Sequence, residues 1–336
     1  MKIVAITGPR ECAVVGREEP RVAGNYVRVK IHTAPMCTEF SQYRQGQVSE
    51  SIGHEAAGEV VETAGPVRVK VGDRVAVMPL VGCGQCELCI GGDYIHCEAK
   101  PDPLVLCNTR TGVGTYAEYC IQQDWLLMKI PDDLSYDEAS MACCGLGPTF
   151  NAMQLMQVNS LDTVLISGLG PVGLGGAVNA LVRGARVIGI EANGYRAELA
   201  KSMGAEAVVS PTDPDALKKI LDLTKGRGAD KSVETSSAKT APAFLVDATR
   251  CKGQITSVGW GGPVNFADIV RKGLSIHGAW HWNPLRDREA MIRTIRKARP
   301  FLAKSITHRF PMSKVKDAWE LQLTGQSGKV LLHPWG

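Results

Sequence analysis

Four cysteines, Cys83, Cys86, Cys89 and Cys97, lie in the run GCGQCELCIGGDYIHC, with two, two and seven residues between them. Thiolates so spaced can wrap one tetrahedral zinc, and a shell of four leaves no position open for a substrate, so this site reads as structural. Two disulfides or an iron-sulfur cluster are the alternatives; a reducing compartment disfavours the first, and no redox-chain signature supports the second. A second set is dispersed: Cys37, then His54 and Glu55 in GHE, then Cys144 in MACCG. One imidazole and two thiolates would leave a fourth position for water or an alcohol, as a catalytic zinc requires. Spacing alone leaves that assignment open, because buried cysteines are common and a lone histidine is often structural.

Ser167-Gly168-Leu169-Gly170-Pro171-Val172-Gly173 follows an apolar run and opens a helix-compatible stretch, with Pro171 where a first helical turn tolerates it. In this pattern the first glycine permits a tight turn, the second lets a pyrophosphate approach the backbone, and the third lets helix and strand pack closely. Free amides at the helix start then hold the phosphates. Glu191 ends the next apolar run, where a carboxylate accepts from a ribose 2′-hydroxyl and repels a 2′-phosphate. NAD is therefore expected over NADP, with Arg196 able to contact either a ribose hydroxyl or a phosphate.

Such groups need a scaffold to hold them. The chain has 336 residues, 44% hydrophobic and 21% charged, a globular composition for which two domains are the default. A net charge of +4 with no basic cluster speaks against a nucleic-acid partner. The long charge-free runs 139–161 and 163–182 are broken by Gly, Pro, Asn and Gln, so no membrane span is expected. The first residues lack the features of a secretory leader, so a cytoplasmic protein is expected, and in a reducing compartment the closely spaced ones among its 11 cysteines are more often metal ligands or catalytic groups than disulfides. Residues 1–130 read as short β-rich segments, such as Tyr26–His32 and Arg74–Met78. From about residue 146, apolar runs alternate with amphipathic stretches: 163–166, 187–190, 207–209, 231–233, 254–258 and 274–277. That alternation implies an α/β fold with a parallel sheet and crossover helices. A basic helix is expected over Arg286–Arg299 and a closing strand over Val330–Leu332.

Taken together, these motifs and their order resemble the zinc-dependent medium-chain alcohol dehydrogenase family over nearly the whole chain. The resemblance implies a GroES-like, β-rich catalytic domain (1–145, with the cysteine lobe at about 80–100) and a Rossmann NAD-binding domain (146–282). It implies that residues 283–336 return to the catalytic domain. It implies Cys37, His54 and Cys144 as catalytic zinc ligands with Glu55 beside the metal, hence two zincs per chain. Arg196 would meet the adenosine ribose. Lys329 would reach the pyrophosphate, the other reading being a solvated strand-end lysine. A homodimer or homotetramer is implied, as is domain closure over NAD.

This chain departs from the family after its first ligand, where Cys, any residue, Ser or Thr, and Asp are usual; here Cys37-Thr38-Glu39-Phe40 stands. Counted without a gap, Glu39 takes the place of the proton-passing hydroxyl, and Gly46, nine residues after Cys37, favours that count. With a one-residue deletion, Thr38 is the hydroxyl and Glu39 the carboxylate that supports the histidine. Facing an open zinc position, Glu39 could accept the alcohol proton, bind a second substrate hydroxyl or enter the metal shell. Trp280-His281-Trp282 could line a pocket, an interface or the core. The reading that results is an NAD- and zinc-dependent oxidoreductase of a small-molecule alcohol, with a polyol or sugar hydroxyl suggested by Glu39. Its alternatives are an enzyme whose tightly held NAD drives elimination or epimerisation by transient oxidation, and a non-enzymatic nucleotide-sensing or structural protein.

Overall fold

In the computed structural model, which describes residues 1–336, strand Tyr26–Pro35 shows why the first part of the chain forms sheet. Val27, Val29 and Ile31 are fully buried while Arg28, Lys30 and His32 between them are partly exposed, the period of two that puts one face on a core. This strand pairs antiparallel with Ala56–Thr63 and Tyr119–Gln123 and, at its far end, with Lys329–His333. The seven-stranded sheet runs 306–311, 329–333, 26–35, 56–63, 74–77, 127–129, with 119–123 branching from 26–35. Its core is built around Ile31, Val60, Tyr43, Tyr116 and Trp319, and Trp319 contacts both tyrosine rings.

Residues 146–282 form a six-stranded sheet, ordered 207–209, 186–190, 163–167, 229–234, 249–257, 275–278, in which every pair is parallel. The chain runs outward in both directions from strand Thr163–Ser167, and at such a reversal the crossover connections diverge and leave a crevice at the strands' carboxyl ends. Helix Pro171–Val182 begins there, with Pro171 in its first turn and Leu174, Ala177 and Val178 buried.

Two compact units result: Met1–Gly145 with Asn283–Arg296 and Ile306–Gly336, and Leu146–Trp282 with Lys297–Ser305. The return from 283 onward is thus interrupted. Helix Arg288–Ser305 outruns the expected 286–299 because it continues through Pro300, carried by buried Leu302, and Lys304 bonds the Ser202 carbonyl of the second unit. No helix is long and apolar enough to cross a membrane.

Asp137 binds several pieces of the first unit together. Helix Tyr136–Ser140, opened by a capping box at Ser135 and Glu138, aims the Asp137 carboxylate at Thr33 Oγ1 (2.7 Å), Arg309 Nε (2.7 Å) and His333 Nε2 (3.0 Å). Burial alone would raise this carboxyl, but the hydrogen bonds from His333, Thr33 and Arg309 outweigh it and hold it well below the usual carboxylate range. A depressed folded pKa contributes stability above the unfolded value of about 3.9 and loses it as pH falls through the folded one. Asp137→Ala is therefore expected to cost about 1–3 kcal/mol at neutral pH. In denaturant titrations the gap to the wild type should persist down to about pH 5 and close in stronger acid; a gap that widens in acid would contradict the assignment.

Candidate active site

Strand Tyr26–Pro35 delivers Cys37, the turn before strand Ala56–Thr63 carries His54 and Glu55, and the turn after helix Tyr136–Ser140 carries Cys144. One ligand atom from each of these four residues lies within 4.8 Å of the others, with His54 Nε2 3.2 Å from Cys144 Sγ. Of the adjacent pair, Cys143 is turned away, its thiol donating to the Val77 carbonyl at 3.1 Å.

Glu39 stands behind this cluster. Its Oε1 lies 2.7 Å from His54 Nδ1, and its Oε2 accepts from the Cys37 amide and the Tyr116 hydroxyl, both at 3.0 Å. The carboxylate therefore fixes the imidazole with Nε2 toward the thiols, as the partners of metal-binding histidines do. Glu39 lies outside the group of ligand atoms that converge, on the Nδ1 side of His54, so the geometry is that of the supporting carboxylate. Gly46 closes helix Glu39–Gln45 and does not fix the register before it. Thr38 caps that helix and is exposed to solvent.

Glu55 is fully buried, accepting from Lys329 Nζ at 2.7 Å and from the Cys144 amide at 3.0 Å. Lys329, expected on a pyrophosphate or in solvent, is 1% exposed, and its ammonium is taken up by Glu55. Burial pushes the Glu55 carboxyl up to about 7 against the pull of Lys329, while Glu55 and the two thiols raise the Lys329 ammonium despite its burial. Hydrogen bonding by Cys144 holds the Cys37 thiol well below its ordinary value, overcoming burial, with Lys329 and His54 acting in the same direction. Burial lowers the His54 imidazole, but Cys37 and Glu39 outweigh it and raise it to about 11. Two thiols, an imidazole and a buried carboxylate converging on one point suit a divalent cation, and nitrogen and sulfur donors are those of zinc.

The cysteine lobe fits a second zinc. Sγ separations of 3.9 Å, for Cys83 with Cys89 and Cys86 with Cys97, match the ~3.8 Å edge of a tetrahedron with metal-sulfur bonds of about 2.3 Å. Backbone amides of Gln85 and Cys86 lower the Cys83 thiol to about 6.

In the second unit, Gly168 has φ +84, and a Cβ there would lie 2.6 Å from Ser236. A Cβ on Gly173 would come within 1.8 Å of the Gly168 carbonyl, whereas one on Gly170 would enter open space with only Arg196 within 4 Å. A cavity of about 500 Å³, lined among others by Gly168, Gly170, Glu191, Arg196 and Thr240, sits at this crevice. The room above Gly170 is the cradle a pyrophosphate needs. Leu169 and Val172 lie on the same turn and first helical residues. Glu191 is oriented by the amides of Leu169 (2.6 Å) and Asn193 (2.8 Å), so its negative charge is fixed where a ribose would sit.

Residues 23–132 match the alcohol dehydrogenase GroES-like domain and residues 171–297 the zinc-binding dehydrogenase family. The sorbitol dehydrogenase of Bacillus subtilis (strain 168) is 30% identical over 99% of this chain and 97% of its own. The chain belongs to the zinc-dependent medium-chain alcohol dehydrogenase family. It is an oxidoreductase of that family. The L-threonine 3-dehydrogenase of Pyrococcus abyssi (strain GE5 / Orsay) is likewise 30% identical, over 98% of each chain. A short chain alcohol dehydrogenase from E. coli CFT073, solved with NADH, superposes with a TM-score of 0.83 at 26% identity over 99% of each chain.

The tryptophan-histidine-tryptophan run divides. Trp282 is buried against Phe150, whereas Trp280 is 42% exposed and meets Trp260 edge to face. Tyr116 carried no chemical signal in the sequence, since its partner Glu39 is 77 residues away. If Glu39 acts by holding His54, Glu39→Gln should weaken zinc binding at this site roughly 10- to 100-fold in chelator competition, with the cysteine-lobe zinc as internal reference. Unchanged zinc affinity with lost turnover would instead make Glu39 the proton acceptor.

Proposed function

We propose that this chain interconverts an alcohol and its carbonyl with NAD as hydride carrier, at a zinc held by Cys37, His54 and Cys144. The convergence of these three residues, with Glu39 and Glu55 behind them, is the observation that carries the reading. A zinc held by Cys37, His54 and Cys144 would supply Lewis acidity toward the substrate hydroxyl, and NAD would supply the hydride acceptor. The chain's own groups do the positioning. Glu39, locked by Tyr116 and the Cys37 amide, sets the tautomer of His54, and Lys329 offsets the charge of Glu55. Cys83, Cys86, Cys89 and Cys97 hold the second, structural zinc.

The Gly168–Gly173 turn would take the pyrophosphate, Glu191 the adenosine ribose, and Arg196, on the wall of the same cavity, that same ribose. The NADH-bound E. coli neighbour supports this choice of cofactor. The relatives named for sorbitol and L-threonine support a small-molecule alcohol as the class of substrate. A homo-oligomer is also part of the reading: strand Ser275–Gly278 is the open edge of its sheet, and Ile276, Trp280 and Trp260 near it are exposed.

Zinc-loaded protein given NAD and an alcohol is expected to form reduced nicotinamide, faster with NAD than with NADP. Glu191→Gln, which removes the charge and keeps the shape, should lower kcat/KM for NAD roughly tenfold or more and narrow that preference. Conversion of a substrate by elimination or epimerisation without net nicotinamide reduction would contradict the reading.

A further inference from the structure

A cavity of about 370 Å³ opens within the first unit, with Gly53 and His54 on its wall. That volume is at the lower end of small-molecule sites. Its remaining wall is mostly aliphatic, with Met78, Leu80, Val81, Leu104, Val113 and Ile121 prominent. The polar groups on the wall are few: Gln122, Thr115, Ser51, Lys100 and Asp102, of which Gln122 is fully engaged by the protein and Lys100 and Asp102 in part. The Gln122 amide nitrogen donates to the carbonyls of Met78 and Leu80, both at 2.8 Å, and its oxygen accepts from the Gln123 amide at 2.8 Å. Lys100 Nζ donates to the Ile95 carbonyl at 2.9 Å, and Asp102 accepts from the Leu104 amide at 2.8 Å. Thr115, 3% exposed, has a buried hydroxyl with no hydrogen-bond partner.

Leu80 is built into this wall at a conformational cost. Its φ is +60, a region that a leucine rarely adopts, and the two bonds from Gln122 hold the backbone on either side of that bend. Strain of this kind persists where surrounding structure fixes it, and it is concentrated at functional sites.

We infer that the chamber beside His54 selects an alcohol with an apolar body, aliphatic or aryl, and disfavours a polyol, with Leu80 and Leu104 as specificity-determining residues. The inference rests on the reading of His54 as a zinc ligand. An alcohol whose hydroxyl lies at the metal puts the rest of its carbon chain against this wall. Each further hydroxyl pressed against the aliphatic part of the wall gives up its hydrogen bonds to water, and Thr115, Ser51, Lys100 and Asp102 can replace them at only a few points of a mostly apolar surface. A hydrophobic wall discriminates against one added hydroxyl by roughly a hundredfold at most, so several hydroxyls should separate the two classes clearly.

The test compares hexan-2-ol with sorbitol, six carbons each, on the zinc-loaded protein, both as NAD-linked substrates and by calorimetric binding to the protein with NADH bound. Hexan-2-ol is expected to show at least a tenfold higher kcat/KM and at least tenfold tighter binding. Leu80→Asn should raise the KM for hexan-2-ol about tenfold with little change in kcat; asparagine tolerates a positive φ, so the fold is retained. Leu104→Ser, at a position without that backbone constraint, should shift KM in the same direction. Sorbitol turned over or bound as well as hexan-2-ol would overturn the inference and leave the dehydrogenase reading intact. Tighter binding of hexan-2-ol without nicotinamide reduction from either compound would support the chamber's selectivity and overturn the reaction.

Discussion

Two carboxylates, Glu39 and Glu55, are buried beside two thiols and an imidazole, and a single ammonium, Lys329, is buried with them. Moving one ion out of water costs several kcal/mol even after relaxation, so this much negative charge is tolerable only where cations and hydrogen bonds meet it. The arrangement satisfies that constraint in pairs. Lys329 meets Glu55, while His54, Tyr116 and the Cys37 amide meet Glu39, and the thiols are left to a dication. Each member of the cluster thus depends on the others, and removing one would expose an uncompensated charge to a dry interior.

The same constraint explains the path of the chain. Lys329 opens the strand Lys329–His333, which lies between Ile306–Pro311 and Tyr26–Pro35, so the final residues bring the ammonium to a carboxylate 274 positions earlier. Without that closing strand Glu55 would have no buried counter-charge. In the nucleotide-binding unit the constraint is steric. Gly168 and Gly173 approach so closely that side chains are excluded, and this close contact starts the helix at the strand end where Glu191 is fixed.

Much of this was legible in the sequence because the signals are local. The cysteine lobe is written within fifteen residues, 83–97, and the glycine turn follows directly on its strand. Alternating apolar runs announced the parallel sheet, since each strand buried on both faces needs consecutive apolar residues. What the sequence left open depends on distance and side-chain reach. Glu39 falls one position before the expected carboxylate, and its extra methylene lets it reach His54 from there. Lys329 reads like any strand-end lysine until Glu55 is placed beside it. Tyr116 and Leu80 carry no pattern, because a phenol's partner and a backbone's handedness are both set by tertiary packing. The end of helix Arg288–Ser305 was obscured by Pro300, a residue that stops most helices but is accommodated here.

The most direct measurement is zinc per chain by elemental analysis of the purified wild type beside Cys37→Ala and Cys89→Ala. The account predicts two zincs in the wild type and one in each variant, since Cys37 and Cys89 belong to separate clusters. A single zinc that survives Cys37→Ala would contradict it, because the buried carboxylates and thiols would then be balanced without a metal.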